Sequence, residues 1–411
     1  MKTEVLTENF KKALLSCEKI AKKSLSLPIL QNLSMKTEVL TENFKKALLS
    51  CEKIAKKSLS LPILQNLLMK TEGTFLALTS TNLETSLVWR VLAKTTKQGE
   101  ALLPANFLAS LISLLKTNKL EFSVEKNNLI LTSEEEEFQI QGQNPEDFPI
   151  IPKIDKTEFF KISSAELTNA LCAVIELPSQ SQIKPEISGV LFSFNKKILK
   201  IVATDSFRLA EKTISLTEVS LKNKEITSFI LPQNSAREIL NVFSGEELPV
   251  VVYFSSNYVL FETNSPSSQE KIELSSRLIE GQYPNYQEII PQKSSLKIKV
   301  KKEEFLSQIK KAGLFSSKSQ EIKLTALPQE SKIKIFSQNV ETGRNESYLG
   351  GDVTGKEMEV SFNFKFLIAG INILKSSEVI LDLLSEDKAG VLRPVGDTSL
   401  IYILMPIKSS Y

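Results

Sequence analysis

The chain has 411 residues, 42% hydrophobic and 24% charged, a soluble globular composition whose length asks for two to four domains rather than one core. Its 51 Lys and Arg against 48 Asp and Glu leave a net charge of only +3, so nucleic-acid binding cannot rest on bulk basicity and needs Lys and Arg segregated onto one surface. Histidine is absent and neither a phosphate loop nor a Cys-x-x-Cys occurs, which argues against catalysis, metal binding and any cofactor.

Residues 1–34 recur as residues 35–68 with 33 of 34 positions identical, Ser34 against Leu68 being the single difference. Such identity marks a tandem duplication, because solenoid repeats drift and number at least three. The second copy runs directly into the rest of the chain and takes the structural role. The first is expected to be an appendage, loosely attached or competing with the second for the same place. No run approaches the roughly 20 apolar residues of a membrane span, and Met1-Lys2-Thr3-Glu4 has no signal-peptide layout, so a cytoplasmic location is expected.

From residue 35, Glu38-Val39-Leu40 reads as a strand and Thr41 as a helix N-cap, with Phe44, Ala47, Leu48, Cys51 and Ile54 forming an apolar stripe. Lys45, Lys46, Lys53, Lys56 and Lys57 fall on the opposite side. Strands follow Leu61-Pro62-Ile63-Leu64, and a second helix after Pro104 should bury Phe107, Leu108, Leu111, Ile112 and Leu115. Further strands are expected at Leu120 to Val124 and Leu129 to Thr132, and the acidic run Glu134 to Glu137, a solvated edge, then precedes Phe138-Gln139-Ile140.

The plan repeats twice. A strand at Phe159 to Ile162, a helix from Ser164, strands at Gly189 to Phe194 and Leu199 to Ala203, and a helix after Pro232 make the second round. Leu296 to Val300, a helix with Phe305, Ile309 and Ala312, and one with Phe366, Leu367, Ile371 and Leu374 inside make the third. Asp155-Lys156 and Gln292-Lys293-Ser294-Ser295 are the expected joints. The domain bounds expected are 35–152, 157–291 and 293–411. Cys17, Cys51 and Cys172 lie in apolar helical stripes, which predicts buried thiols.

The most telling stretch is Leu199 to Ala210. A strand alternates to Ala203, Thr204-Asp205-Ser206 make a turn through side-chain bonds to backbone, and Phe207 and Leu209 resume alternation around Arg208. Thr81-Asn82 stands 123 residues before Thr204-Asp205, and the same offset superposes Thr41–Leu48 on Ser164–Leu171. Two unrelated elements sharing one offset indicate an internal repeat.

Ala203-Thr204-Asp205-Ser206-Phe207-Arg208-Leu209-Ala210, with Leu61-Pro62-Ile63-Leu64, Gln282-Tyr283-Pro284-Asn285-Tyr286 and Met405-Pro406-Ile407-Lys408, resembles the bacterial sliding-clamp family, the beta subunit of DNA polymerase III, over residues 35 to 408. The resemblance implies an α+β fold of three similar domains of the DNA-clamp (processivity fold) type, with outer antiparallel sheets, helices on the inner face and a head-to-tail dimer ring. It implies non-sequence-specific duplex binding by Lys45, Lys46, Lys53, Lys56, Lys57, Lys184, Arg237, Lys310 and Lys311, through phosphate contacts that permit sliding. It implies a dimer seam of Phe138 against Leu314 and Phe315, flanked by Glu134 to Glu137 and by Lys310, Lys311 and Lys318.

The family's partner-peptide groove maps onto Ile187, Thr204, Ser206, Phe207, Arg208, Leu209, Pro284, Ile289, Ile403, Met405, Pro406 and Ile407, for the replicative polymerase, the clamp loader and other proteins with a clamp-binding motif. Leu209, Ile403 and Met405 read equally well as ordinary core. The chain departs from family habit at Ser58, where some members have Arg, at Pro185 and Glu186, where some have aromatic residues, and at Ser206 for Gly, Phe207 for His and Lys408 for Arg. Two other readings stand beside a processivity factor: a sequence-reading DNA binder, which lacks a helix-turn-helix spacing here, and a protein-only adaptor.

Overall fold

The computed structural model describes residues 35–56, 61–134, 136–179, 183–220, 228–245, 247–265, 269–291 and 293–407. The first copy 1–34 with its Cys17, and Lys57, Ser58, Glu135, Gln292 and Lys408, lie outside the described residues. The chain divides into two compact units, one running to Thr79 and resuming over Arg90–Pro149, the other taking Ser80–Trp89 and Ile150 onward.

In the first unit the strand Lys36–Leu40 lies between antiparallel neighbours Thr85–Lys97 and Lys119–Glu125. Asn128–Thr132 and then Glu137–Ile140 extend that ladder. Asn66–Glu72 pairs with both Phe75–Thr81 and Glu100–Pro104. Two helices, α1 (Thr41–Ala55) and α2 (Ala105–Leu114), pack on each other. The expected stripe of α1 is its core face: Phe44, Ala47, Leu48, Cys51 and Ile54 are all fully buried, with the Phe44 ring 4.8 Å from Phe122.

The second unit holds helices α3 (Ser164–Val174), α4 (Gln233–Phe243), α5 (Lys302–Leu314) and α6 (Phe364–Ile373), α3 packed on α4 and α5 on α6. A nine-stranded antiparallel sheet runs through it, and at its middle Arg208–Ser215 pairs with Leu400–Leu404, joining the second round of the sequence to the third. A four-stranded sheet of Gly343–Gly350, Lys332–Asn339, Glu321–Leu327 and Met358–Asn363 completes the third round.

The threefold repeat is visible at single hydrogen bonds. In each round the first strand passes into its helix without a linking residue, and the leading helical N–H finds its acceptor outside the helix. Thr41 N–H donates to Asn118 O at 3.0 Å, Ser164 N–H to Leu248 O at 2.8 Å, and Lys302 N–H to Ser377 O at 2.8 Å. Each acceptor immediately precedes the strand that pairs with the one leading into the helix.

This junction corrects the reading of Thr41. Leu40 occupies the N-cap position with no side-chain cap bond, and Thr41 is the first helical residue, its N–H bound to a carbonyl beside the neighbouring strand and its Oγ1 buried without a partner. Ser163, by contrast, caps α3 by accepting from Glu166 N–H at 3.1 Å.

Four further residues expected inside are not. Phe107 is 56% exposed and Leu111 only half-buried, because α2 turns one stripe, Leu108 and Ile112, to the core and leaves the other open. Leu115 lies just past that helix and is half-buried as well. Cys172 is exposed on α3, one position beyond the buried stripe, while Cys51 is buried as expected.

Candidate functional site

The turn after Ile198–Thr204 is built by its own side chains. Thr204 Oγ1 donates to Arg208 O at 2.7 Å and accepts from Ser206 N–H at 3.1 Å, while Asp205 Oδ1 accepts from the N–H groups of Phe207 and Arg208, both at 3.0 Å. Ser206 sits at φ 77°, a left-handed conformation that glycine adopts freely and serine at some cost. The earlier copy repeats this bond for bond. Thr81 Oγ1 bonds Thr85 O and Leu83 N–H, Asn82 Oδ1 takes the N–H groups of Glu84 and Thr85, and Leu83 has φ 72°.

What differs is what the turn carries. Arg208 Nε donates to Asp205 Oδ2 at 2.9 Å and its Nη2 to Glu176 O at 3.4 Å, which lays the guanidinium 4.7 Å over the Phe366 ring. Phe207, 62% exposed, stacks on the same ring at 6.5 Å, and its carbonyl accepts from Met405 N–H at 2.9 Å. Burial is the largest single influence and penalises the Arg208 charge, yet Asp205 and Tyr402 together outweigh it and hold the guanidinium above its ordinary pKa. Beneath lies Tyr402, fully buried, its hydroxyl donating to Phe366 O at 2.9 Å; burial pushes its pKa up to about 12.

The groove residues expected from the sequence therefore separate into floor and rim. Leu209 and Ile403 face each other across the strand pair, each 1% exposed, in one core cluster with Leu191, Val202, Ile230 and Tyr286. Ile187 and Thr204 are buried as well. Ser206, Phe207, Pro284, Ile289 and Met405 are exposed, and Arg208, Pro406 and Ile407 half-buried. Ile407 is pinned by its N–H to Ser361 O at 2.8 Å. Pro284 also borders a hollow of about 720 Å³ lined by Leu191, Ile230, Ile279, Tyr283 and Tyr286. Below it Tyr286 OH donates to the buried Glu211 at 2.6 Å, whose other oxygen takes Lys200 at 2.9 Å.

Phe366 is a further residue that the sequence reading misplaces. It is half-buried at the surface, not inside α6. The available signal was surplus: Phe364, Phe366, Leu367, Ile368, Ile371 and Ile373 are more apolar side chains than one helix face can bury.

The basic residues stand on α1, α4 and α5 and one loop. Lys46 and Lys53 are exposed on α1, Lys56 just past its end, and Lys45 is half-buried; Lys310 and Lys311 are exposed on α5, and Lys184 before the turn Pro185–Ser188. Lys56 is 3.8 Å from Glu52, and Arg237 is 3.2 Å from Glu176, which offsets its charge. Among the described residues Lys53, Lys310 and Lys311 have no carboxylate partner.

The seam residues lie on open edges. Phe138 is half-buried on Glu137–Ile140, the last strand of its ladder. Leu314 is 76% exposed at the end of α5 with Phe315 half-buried beside it, and Val340 and Tyr348 are exposed on the adjoining hairpin. In the first unit Phe107 and Leu114 of α2 add apolar surface that the sequence reading had placed inside or passed over. No group of three potential metal ligands occurs among the described residues, and no described helix is long and apolar enough to cross a membrane.

Three consecutive stretches match one family: residues 31–152 the DNA polymerase III beta subunit, N-terminal domain, 161–285 its central domain and 287–408 its C-terminal domain. A beta sliding clamp of Staphylococcus aureus is 26% identical over 313 residues, 76% of this chain and 80% of the relative. The fold matches a DNA polymerase sliding clamp from Bacillus subtilis at TM-score 0.83 and 22% identity, over 92% of this chain and all of that one. It also matches a sliding clamp from Pseudomonas aeruginosa bound to griselimycin, at 0.84 and 21%, over 91% of this chain and all of that one.

Proposed function

The chain belongs to the DNA polymerase III beta-subunit family, and from that premise we propose that it is a sliding clamp, a non-catalytic processivity factor of DNA replication. What carries this reading is the order of three beta-subunit domains along one chain, each opened by the same strand-to-helix junction. The domains are taken as 35–152, 157–291 and 293–411, with 1–34 as an appendage. Two chains close head to tail, through the edge carrying Phe138 and the α5 end carrying Leu314 and Phe315, into a ring around duplex DNA in the cytoplasm. Phe107 and Leu114 of α2 join the first of those surfaces.

Helices turn inward, and Lys45, Lys46, Lys53, Lys56, Lys57, Lys184, Arg237, Lys310 and Lys311 meet phosphates without reading bases. Their strength is unequal: Arg237 is already paired with Glu176, so α1 and α5 dominate. The replicative polymerase, the clamp loader and other motif-bearing proteins dock at Phe207, Arg208, Met405 and Phe366, over the apolar floor of Leu209 and Ile403. A Leu or Phe anchor buries apolar surface there, and the aromatic pair and guanidinium orient it.

Primer extension by the replicative polymerase with its ATP-driven loader tests this function. Adding the chain lengthens the products of a single binding event many-fold; unchanged product length would contradict the function.

A further inference from the structure

Met-Lys-Thr-Glu occurs three times, at Met1–Glu4, Met35–Glu38 and Met69–Glu72, so the identity between the two copies runs past residue 34. Residues 1–38 match residues 35–72 at every position except Ser34 against Leu68. In the structure the block 35–72 supplies the strand Lys36–Leu40, α1, the turn Pro62–Gln65 and the strand Asn66–Glu72. That last strand ends at a tight hairpin turn through Gly73, at φ 61° with open space around it.

We propose that the chain folds in two registers. In one, residues 35–72 fill this place and 1–34 precede it. In the other, residues 1–38 fill it, and residues 39–72 are extruded as an insertion of 34 residues between Glu38 and Gly73, at the hairpin tip. Met35–Glu38 then changes role, from the start of the first strand to the end of the hairpin strand.

At every position of the block but one, the residue has an identical replacement. Buried Met35, Val39, Phe44 and Cys51 are replaced by Met1, Val5, Phe10 and Cys17. At the hairpin strand, Thr71 Oγ1 bonds the Gly99 N–H at 2.8 Å and its carbonyl at 3.1 Å, Lys70 pairs with Glu100 at 3.0 Å, and Glu72 with Arg90 at 2.7 Å. Thr37, Lys36 and Glu38 carry the same groups at the same spacing. The single difference falls at Leu68, which is only half-buried.

The entropy of closing the longer loop lowers the second register roughly 30- to 80-fold, and Ser for a half-buried Leu about fivefold more, so on the order of one molecule in a few hundred adopts it. Damage to the resident copy inverts that balance. Phe44→Asp places a charge in a fully buried site beside Phe122, whereas the register using Phe10 leaves the altered side chain in the extruded loop.

The test uses four full-length chains, the parent, Phe10→Asp, Phe44→Asp and the double variant, under native-state trypsin cleavage read by mass spectrometry. The parent and Phe10→Asp protect 35–72; Phe44→Asp keeps the first unit folded, protects 1–38 and is cut within 39–72; the double variant loses protection throughout that unit. A Phe44→Asp chain as fully cleaved as the double variant would overturn the proposal. Exchanging the one differing pair, Ser34→Leu with Leu68→Ser, should raise cleavage within 39–72 about 25-fold in an otherwise unaltered chain; no change would overturn it equally.

Discussion

Replacing Asp205 by alanine tests whether the turn is a docking device or only a bend. Asp205 accepts from two backbone N–H groups at 3.0 Å and from the Arg208 guanidinium at 2.9 Å. A hydrogen bond to a charged group contributes about 1.5–3 kcal/mol and a neutral one about 1, but water reaches this turn and replaces part of the loss, so about 2 kcal/mol is expected in all. If Phe207 and Arg208 must be re-formed over Phe366 before a partner binds, that is roughly a 30-fold loss of affinity, at 1.4 kcal/mol per decade. Fluorescence anisotropy of a labelled peptide with Leu and Phe anchors measures it. Asn82→Ala is the internal control, since Asn82 holds the same two backbone N–H groups in the first repeat, where Glu84 and Thr85 stand in the places of Phe207 and Arg208. It should lower stability by about 1–2 kcal/mol and leave peptide affinity unchanged. Equal weakening by both variants, or none by Asp205→Ala, would refute the reasoning.

Phe138→Asp combined with Leu314→Asp should sediment as a monomer, and Phe107→Asp should weaken the dimer by itself; an unchanged dimer would place the seam elsewhere. Reversing Lys53, Lys310 or Lys311 to Glu should lower affinity for duplex of any sequence and flatten its salt dependence by about one unit of slope for each phosphate no longer neutralised, read from binding across a salt series. Tyr402 should make the fold alkali-sensitive. With its pKa raised to about 12, its contribution is whole below the free phenol's pKa near ~10 and is lost as pH rises through 12, about 3 kcal/mol in total. Tyr402→Phe should flatten that part of the stability curve in denaturant titrations between pH 9 and 12.

Much of the fold was legible because the chain states its plan three times. The shared offset of Thr81-Asn82 and Thr204-Asp205 reflects one hydrogen-bonded turn made twice, and the helix starts at Thr41 and Ser164 keep the same spacing. Strand alternation holds along Leu296–Lys301, which buries one face, but not along Ile198–Thr204, where Ile201, Val202 and Ala203 are all buried because Val202 joins the core cluster of Leu209 and Ile403 on the other face. What failed was the second-helix reading: an apolar stripe predicts a core face but cannot say when a second apolar stripe faces outward, as Phe107 and Phe366 do. Thr41 misled for a different reason. Its N–H partner, the carbonyl of Asn118, is 77 residues away and leaves no local mark. In the groove, the motif named the turn and the terminal strand but not the ring beneath the guanidinium, because Arg208 and Phe366 meet only after the two strands pair.

The claim on which the rest depends is that the chain holds DNA by surrounding it. Loaded onto a nicked circular plasmid, it should stay bound through gel filtration in high salt and be released when one restriction cut linearises the circle. Release from the intact circle at that salt, or retention on the linear product with free ends, would contradict it.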